Sequence, residues 1–167
     1  MNRFATAFFS IALLLPLLQQ KGCEPKSQQP APGTAEFDPV TAERDVRRQI
    51  ENLRVTLESK QARSVMREID TSGMEGALSF EDQLTRFFEA TTELRLHFRT
   101  ANVQVRPAEG TRSPARAIAQ VDAEMVYALK AAPTQSQRKA GQLTLELVLT
   151  TQGWRYVRID PASFFAP

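Results

Sequence analysis

Few residues in this chain are of types that could do chemistry. There is one cysteine, Cys23, and one histidine, His97. That pair supports neither a disulfide framework nor a zinc cluster within one chain. An acid–base site would need a carboxylate aimed at the reacting atoms, with its pKa tuned by burial. Asp122, Glu124 and Glu146 are the acids of the C-terminal half that stand in ordered patterns. Asp122 and Glu124 alternate with Ala119, Val121, Ala123, Met125 and Tyr127, and Glu146 stands between Leu145 and Leu147. Period-two alternation puts such acids on the face opposite the apolar residues. His97, between Leu96 and Phe98 and flanked by Arg95 and Arg99, falls on the same outward face. It reads as a surface partner of Glu124. Tyr127 points inward, as a core tyrosine with its hydroxyl at the rim. No Gly-rich phosphate loop or metal-binding His cluster occurs. The expectation is no catalytic, cofactor-binding or metal-binding residue.

The elements that must position these residues follow from the same periodicities. Strands are predicted over 94–106, 115–130, 140–151 and 153–160. Apolar parity changes from even (Leu94, Leu96, Phe98) to odd (Val103, Val105). A strand cannot change faces without an extra residue, so a β-bulge is expected at 100–102. Antiparallel pairing of the first two strands sets Leu94, Leu96 and Phe98 beside Tyr127, Met125 and Ala123. It also sets His97 beside Glu124 and Arg99 beside Asp122. Across an expected loop at 131–139, Met125 is predicted beside Leu147 and Tyr127 beside Leu145, with Leu143, Leu145, Leu147 and Leu149 on the buried face. Upstream, Asp38-Pro39 starts a helix as cap and first residue. Val46, Ile50, Leu53 and Leu57 give its apolar stripe. Ala62, Val65, Met66 and Ile69 repeat the pattern, and 59–60 is either a kink or a break. A loop at 70–77 precedes a third helix over 79–91, with Ser79 and Asp82 as a capping box and Phe80, Leu84, Phe87 and Phe88 inward.

The 167 residues allow one domain behind an N-terminal segment. Residues 1–18 carry Arg3 and then an apolar run, broken by Ser10 and Pro16, that is short for a span of ~20 residues. They read as a secretory signal. Arg3 and Lys21 account for the formal +2 charge, so the chain from Cys23 onward is neutral. No Lys/Arg cluster exceeds a pair, which argues against nucleic-acid binding. The run Gln19-Gln20-Lys21-Gly22-Cys23 resembles a bacterial lipoprotein signal, although Gln20 and Lys21 depart from its usual pattern. The resemblance implies a signal segment over 1–22, acylation of Cys23 and a Pro/Gln/Ser tether over 23–37. The expected location is the cell envelope, anchored on the extracytoplasmic side.

Three helices and then a bulged four-stranded antiparallel sheet, closing on Gly153-Trp154-Arg155-Tyr156-Val157-Arg158-Ile159-Asp160, resemble the nuclear transport factor 2-like superfamily. That superfamily includes ketosteroid isomerase-like and polyketide cyclase-like domains. The resemblance implies an α+β, cone-like domain over 38–161 with a cavity between helices and sheet. The residues placed to line it are Met66, Phe87, Phe88, Leu96, Phe98, Met125, Tyr127, Leu147 and Trp154. The short hairpin often found between the second and third helices has little room in 70–78. Three functions are expected to compete. The first is a non-catalytic envelope lipoprotein binding a small apolar ligand or a protein. In it, the open sheet face with Ile118, Val126 and Val148 serves a homodimer or another partner. The second is a ketosteroid isomerase- or polyketide cyclase-like enzyme using a helix-borne carboxylate such as Glu68 or Glu89. The third is a purely structural accessory lipoprotein. Residues 162–167, with Phe164 and Phe165, either fold back onto the domain or contact a partner.

Overall fold

A cap and a proline set the first helix of the computed structural model, which describes residues 37–110 and 113–166. Asp38 keeps extended backbone, and its carboxylate accepts from the Val40 N–H at 3.0 Å and the Thr41 N–H at 3.2 Å. Pro39 has no N–H to leave unpaired at this position. Helix α1 runs Pro39–Glu58 and buries Ala42, Val46, Ile50, Leu53 and Leu57. It ends at a real break. Lys60 takes φ +54°, and its N–H donates to the Leu57 carbonyl at 3.0 Å. Helix α2 (Ala62–Met66) follows, then α3 (Ala77–Ala90). The expected capping box does not start α3. The helix begins two residues earlier, at Ala77, behind an N-cap Gly76 in left-handed backbone (φ +72°), and Ser79 and Asp82 lie inside its first turns. The signal segment, Cys23 and the tether lie outside the described residues. Among the described residues no helix is long and apolar enough to cross a membrane.

The sheet is antiparallel, in the order β1 (Thr91–Arg106), β2 (Arg116–Leu129), β3 (Ala132–Thr150), β4 (Gly153–Asp160). The β1–β2 register is as expected at every pair named above, including His97 with Glu124 and Arg99 with Asp122. The bulge falls at Ala101, between the Thr100–Val121 and Asn102–Gln120 pairs. The β2–β3 register differs from expectation. Residues 131–139 are not a loop: Lys130 and Ala131 make a tight turn and β3 starts at Ala132. Met125 therefore faces Lys139, and Tyr127 faces Gln137, while Leu145 and Leu147 face Ala119 and Ala117. The offset is even, so each leucine keeps its face but meets different neighbours. A further bulge lies in β4, where Tyr156 pairs with Leu147 but Arg158 pairs with Glu146, leaving Val157 extra. Leu149, expected inside, is 39% exposed beside the turn into β4. Val148, expected on the open face, is buried between Arg116 and Arg155 of the neighbouring strands.

The helices cover the concave face, and their stripes form one core with Leu96, Met125, Leu143, Leu145 and Leu147. The sheet's edges are guarded in different ways. Along β1, Glu58 Oε1 accepts from the Leu96 N–H at 2.8 Å, Lys60 Nζ donates to the Thr91 and Thr92 carbonyls, and Arg47 donates to the Thr100 carbonyl. Along β4, the Tyr156 N–H donates to the Glu68 carbonyl at 3.0 Å and the Asp70 N–H to the Tyr156 carbonyl at 2.9 Å. Residues 68–70 so form a one-bridge parallel strand, centred on Ile69. The first half of β3 runs past the end of β4, whose pairing starts at Thr144–Asp160. It is a polar arm with Pro133 at its base.

Acid sensitivity follows from the caps. The Thr41 hydroxyl, then the Val40 N–H, hold the Asp38 carboxyl below the usual aspartate range, and the Ser72 hydroxyl does the same for Asp70. A depressed folded-state pKa gives stability that is complete above the unfolded-state value of about 3.9. That stability is lost as pH falls through the folded value. The melting temperature is expected to fall below about pH 4, with a shallower slope in Asp70→Asn.

Candidate ligand site

The residues expected to line a cavity come together, but they fill the cone. Phe87 and Phe88 of α3 meet the sheet, and the Phe87 ring lies 5.4 Å from that of Tyr127 in an edge-on arrangement. Phe87, Leu96, Met125 and Leu147 have 0–1% exposure. Phe88, Tyr127 and Trp154 are also buried, and Met66 and Phe98 are half-buried at the margin of the same core. Close packing of this kind leaves room for rotamer changes but none for a ligand.

The acids lie elsewhere. Asp122 pairs with Arg99 at 2.7 Å, Glu124 with Arg138 at 2.7 Å and Glu146 with Arg158 at 3.4 Å, all on the convex face. His97 is exposed on that face, beside a shallow depression that it shares with Phe98 and Gly141. Of the two acids expected on helices, Glu89 is on α3 and exposed, whereas Glu68 lies in the turn past the end of α2. Glu68 accepts from Gln49 Nε2 and stands 3.8 Å from Arg155.

Sequence reasoning missed the junction around Glu68. Tyr156 of β4 is fully buried, and its hydroxyl donates to the Gln49 carbonyl at 2.9 Å, tying α1 to the last strand. Burial, and secondarily the Glu68 charge, push its pKa well above the usual tyrosine value, so it stays a neutral donor. The alternation Trp154/Tyr156 marked this ring as inward; nothing in the sequence marked its acceptor. Tyr156→Phe removes the bond and little else. It is expected to lower stability by about 1 kcal/mol in urea unfolding.

Away from the cone's interior, a cleft of about 630 Å³ lies between the 73–76 loop, α3, the end of β4 and residue Ala162. Met74, Phe80 and Ile159 give it apolar walls, while Ser79, Gln83 and Arg158 supply polar groups. Gly73 lets the loop close on β4: a Cβ there would sit 2.9 Å from both Asp70 Oδ2 and Val157 Cγ1. A volume of this size suits a small organic ligand. At one end the cleft is bounded by Ala162, the first residue of a single 3₁₀ turn (Ala162–Phe165) that folds back onto the domain. Among the described residues, no group of three or more His, Cys, Asp or Glu side chains is placed to hold a metal ion.

No family model matches the sequence, and no curated protein matches it. Solved structures do. A nuclear transport factor 2-like superfamily protein from Salmonella enterica superposes with a TM-score of 0.61 at 12% identity, over 73% of this chain and 90% of that one. The fold is nuclear transport factor 2-like. A scytalone dehydratase-like protein from Novosphingobium aromaticivorans gives 0.57 at 11% identity, over 72% and 82% of the two chains. A type 2 hexachlorocyclohexane dehydrochlorinase gives 0.50 at 13% identity, over 72% and 83%. Identities this low speak for fold alone. Nuclear transport factor 2-like structures thus include enzymes, and the fold does not decide between catalysis and binding.

Proposed function

We propose that this chain is an envelope lipoprotein whose nuclear transport factor 2-like domain binds without catalysing. The observation that carries the reading is the cone itself: its interior is packed with Phe87, Tyr127, Leu96, Met125 and Leu147, and Asp122, Glu124 and Glu146 are spent in ion pairs on the opposite face. A catalytic reading needs a carboxylate in the cone. Glu68, expected on a helix, lies past the end of α2 beside β4, where it is engaged by Gln49 and stands near Arg155. The binding partner in this reading is a small apolar ligand, taken in the cleft beside Met74, Phe80 and Ile159. Acylated Cys23 holds the protein at the membrane, each buried CH₂ contributing ~0.8 kcal/mol, and residues 24–37 serve as the tether. The half-buried Ile118 and Val126 of the convex face give a homodimer or protein partner only a narrow apolar strip among ion pairs.

The test of the anchored reading is fractionation of bacterial cells expressing the full chain. The unaltered protein is expected with the membranes and Cys23→Ser in the soluble envelope fraction. Equal distribution of the two would overturn the anchor.

A further inference from the structure

The turn at 162–165 occupies a hollow made for it. Phe164 and Phe165 are 4% and 1% exposed. Their rings stand edge to face at 5.3 Å, and Phe165 packs edge-on against Phe80 of α3 at 6.2 Å. On the sheet side the Phe164 ring lies over Gly141, where a Cβ would come within 3.5 Å of it. Gly141 pairs with Ala123 of β2. Two small residues side by side leave a recess on the concave face; the Phe164 ring lies in it, and Phe165 packs against Phe164 and Phe80. The recess adjoins the 630 Å³ cleft, since Phe80 and Ala162 also line the latter.

The turn joins no strand ladder, and side chains hold it from outside. Gln83 Nε2 donates to the Ala162 carbonyl at 2.7 Å, and Lys139 Nζ donates to the Ser163 and Ala166 carbonyls at 3.0 and 2.8 Å. Its remaining backbone bonds are internal, from the Phe164 N–H to Pro161 and from the Ala166 N–H to Ser163. Such an element can leave as a unit without breaking the sheet.

We infer that Phe164 and Phe165 form a displaceable plug, and that the recess beneath them is a binding site for an aromatic, apolar ligand of about two rings. Ligand and plug exclude one another. The ligand's apparent affinity is therefore its intrinsic affinity reduced by the fraction of molecules with the plug out. The inference rests on the binding reading above but not on the anchor. Binding of a probe by the unaltered chain tests the cleft; the gain on removing the rings tests the plug, so the two fail separately.

The experiment titrates 2-naphthol into the full chain by calorimetry. Phe164→Ala/Phe165→Ala is expected to bind one equivalent at least about ten-fold more tightly than the unaltered chain. The peptide Pro-Ala-Ser-Phe-Phe-Ala, added in trans, is expected to displace the probe. A folded double variant with unchanged affinity overturns the plug, as does binding that the peptide fails to displace. If the double variant does not fold, Gln83→Ala/Lys139→Ala keeps both rings and removes the three tethering bonds. It is expected to gain at least about three-fold, and no gain overturns the inference.

Discussion

Phe87→Ala is expected to lower the unfolding free energy by about 3–5 kcal/mol, a large share of the 5–15 kcal/mol typical of a domain. Phe87 is wholly buried, edge-on to Tyr127 and 6.0 Å from the Phe88 ring. It joins α3 to the sheet at the centre of the cone, where the backbone is fixed by β1 and β2 and cannot collapse into the space left behind. Cost therefore comes from both the lost transfer of the ring and the unfilled cavity. Phe87→Leu keeps most of the volume and is expected to cost about 1 kcal/mol. Urea unfolding followed by circular dichroism measures both, and the slope with denaturant is expected to stay constant. An alanine variant within about 1 kcal/mol of the parent would mean that the cone is loosely filled, and would return the ligand to its interior.

The second large effect is electrostatic. Leu145 is fully buried, between Ala119 of β2 and Ile159 of β4. In Leu145→Glu a carboxyl faces the packed side chains of the cone with no cation on that face of the neighbouring strand pairs. Burial raises its folded-state pKa above the unfolded value of about 4.3. The loss at neutral pH is expected to reach about 4 kcal/mol or more. Because the raised pKa favours the protonated folded state, the loss is smallest below the unfolded value and grows as pH rises through the folded one. Leu145→Gln has no charge to bury and is expected to be destabilised without that added pH dependence. Unfolding curves for the two variants at several pH values make the comparison. Equal pH profiles would mean that the glutamate finds a partner or water inside the cone, which would reopen a catalytic reading.

The residues differ in how well they announced their places. Ala117–Tyr127 carries unbroken alternation, while Leu94–Val105 changes parity once, between Phe98 and Val103. That change could be absorbed only by a bulge, so pairing and bulge were both legible. The arm of β3 carries no such signal. Thr134–Lys139 are polar on both faces, which is how a loop reads, and the β2–β3 register shifted with that misreading. The β4 bulge was legible and missed: Tyr156 and Ile159 differ in parity as Phe98 and Val103 do. At the candidate site, the apolar lining was visible as inward positions, but its filling was not. Whether Phe87 and Tyr127 touch depends on how far α3 sinks into the cone. The cleft and its plug join residues far apart in sequence, Phe80, Gly141 and Phe164, without any shared periodicity. The Gly76 start of α3 lost to Ser79 because side-chain caps are read from residue type, whereas a left-handed glycine shows only in backbone angles.

The three guarded edges also determine how copies of this protein could polymerise. A growing fibril needs a strand with free amide and carbonyl groups, and each edge here withholds them by a different force. On β4 the guard is main chain, the 68–70 bridge, which salt barely touches. On β1 it is the charged ends of Arg47, Glu58 and Lys60, and on the β3 arm it is Pro133 with the charged side chains of Arg138 and Lys139. Repulsion between exposed charges is screened over about 8 Å at physiological ionic strength. Concentrated solutions therefore face opposing demands: salt that quiets the convex face's ion pairs also disarms the arm, and strand-to-strand growth would begin there.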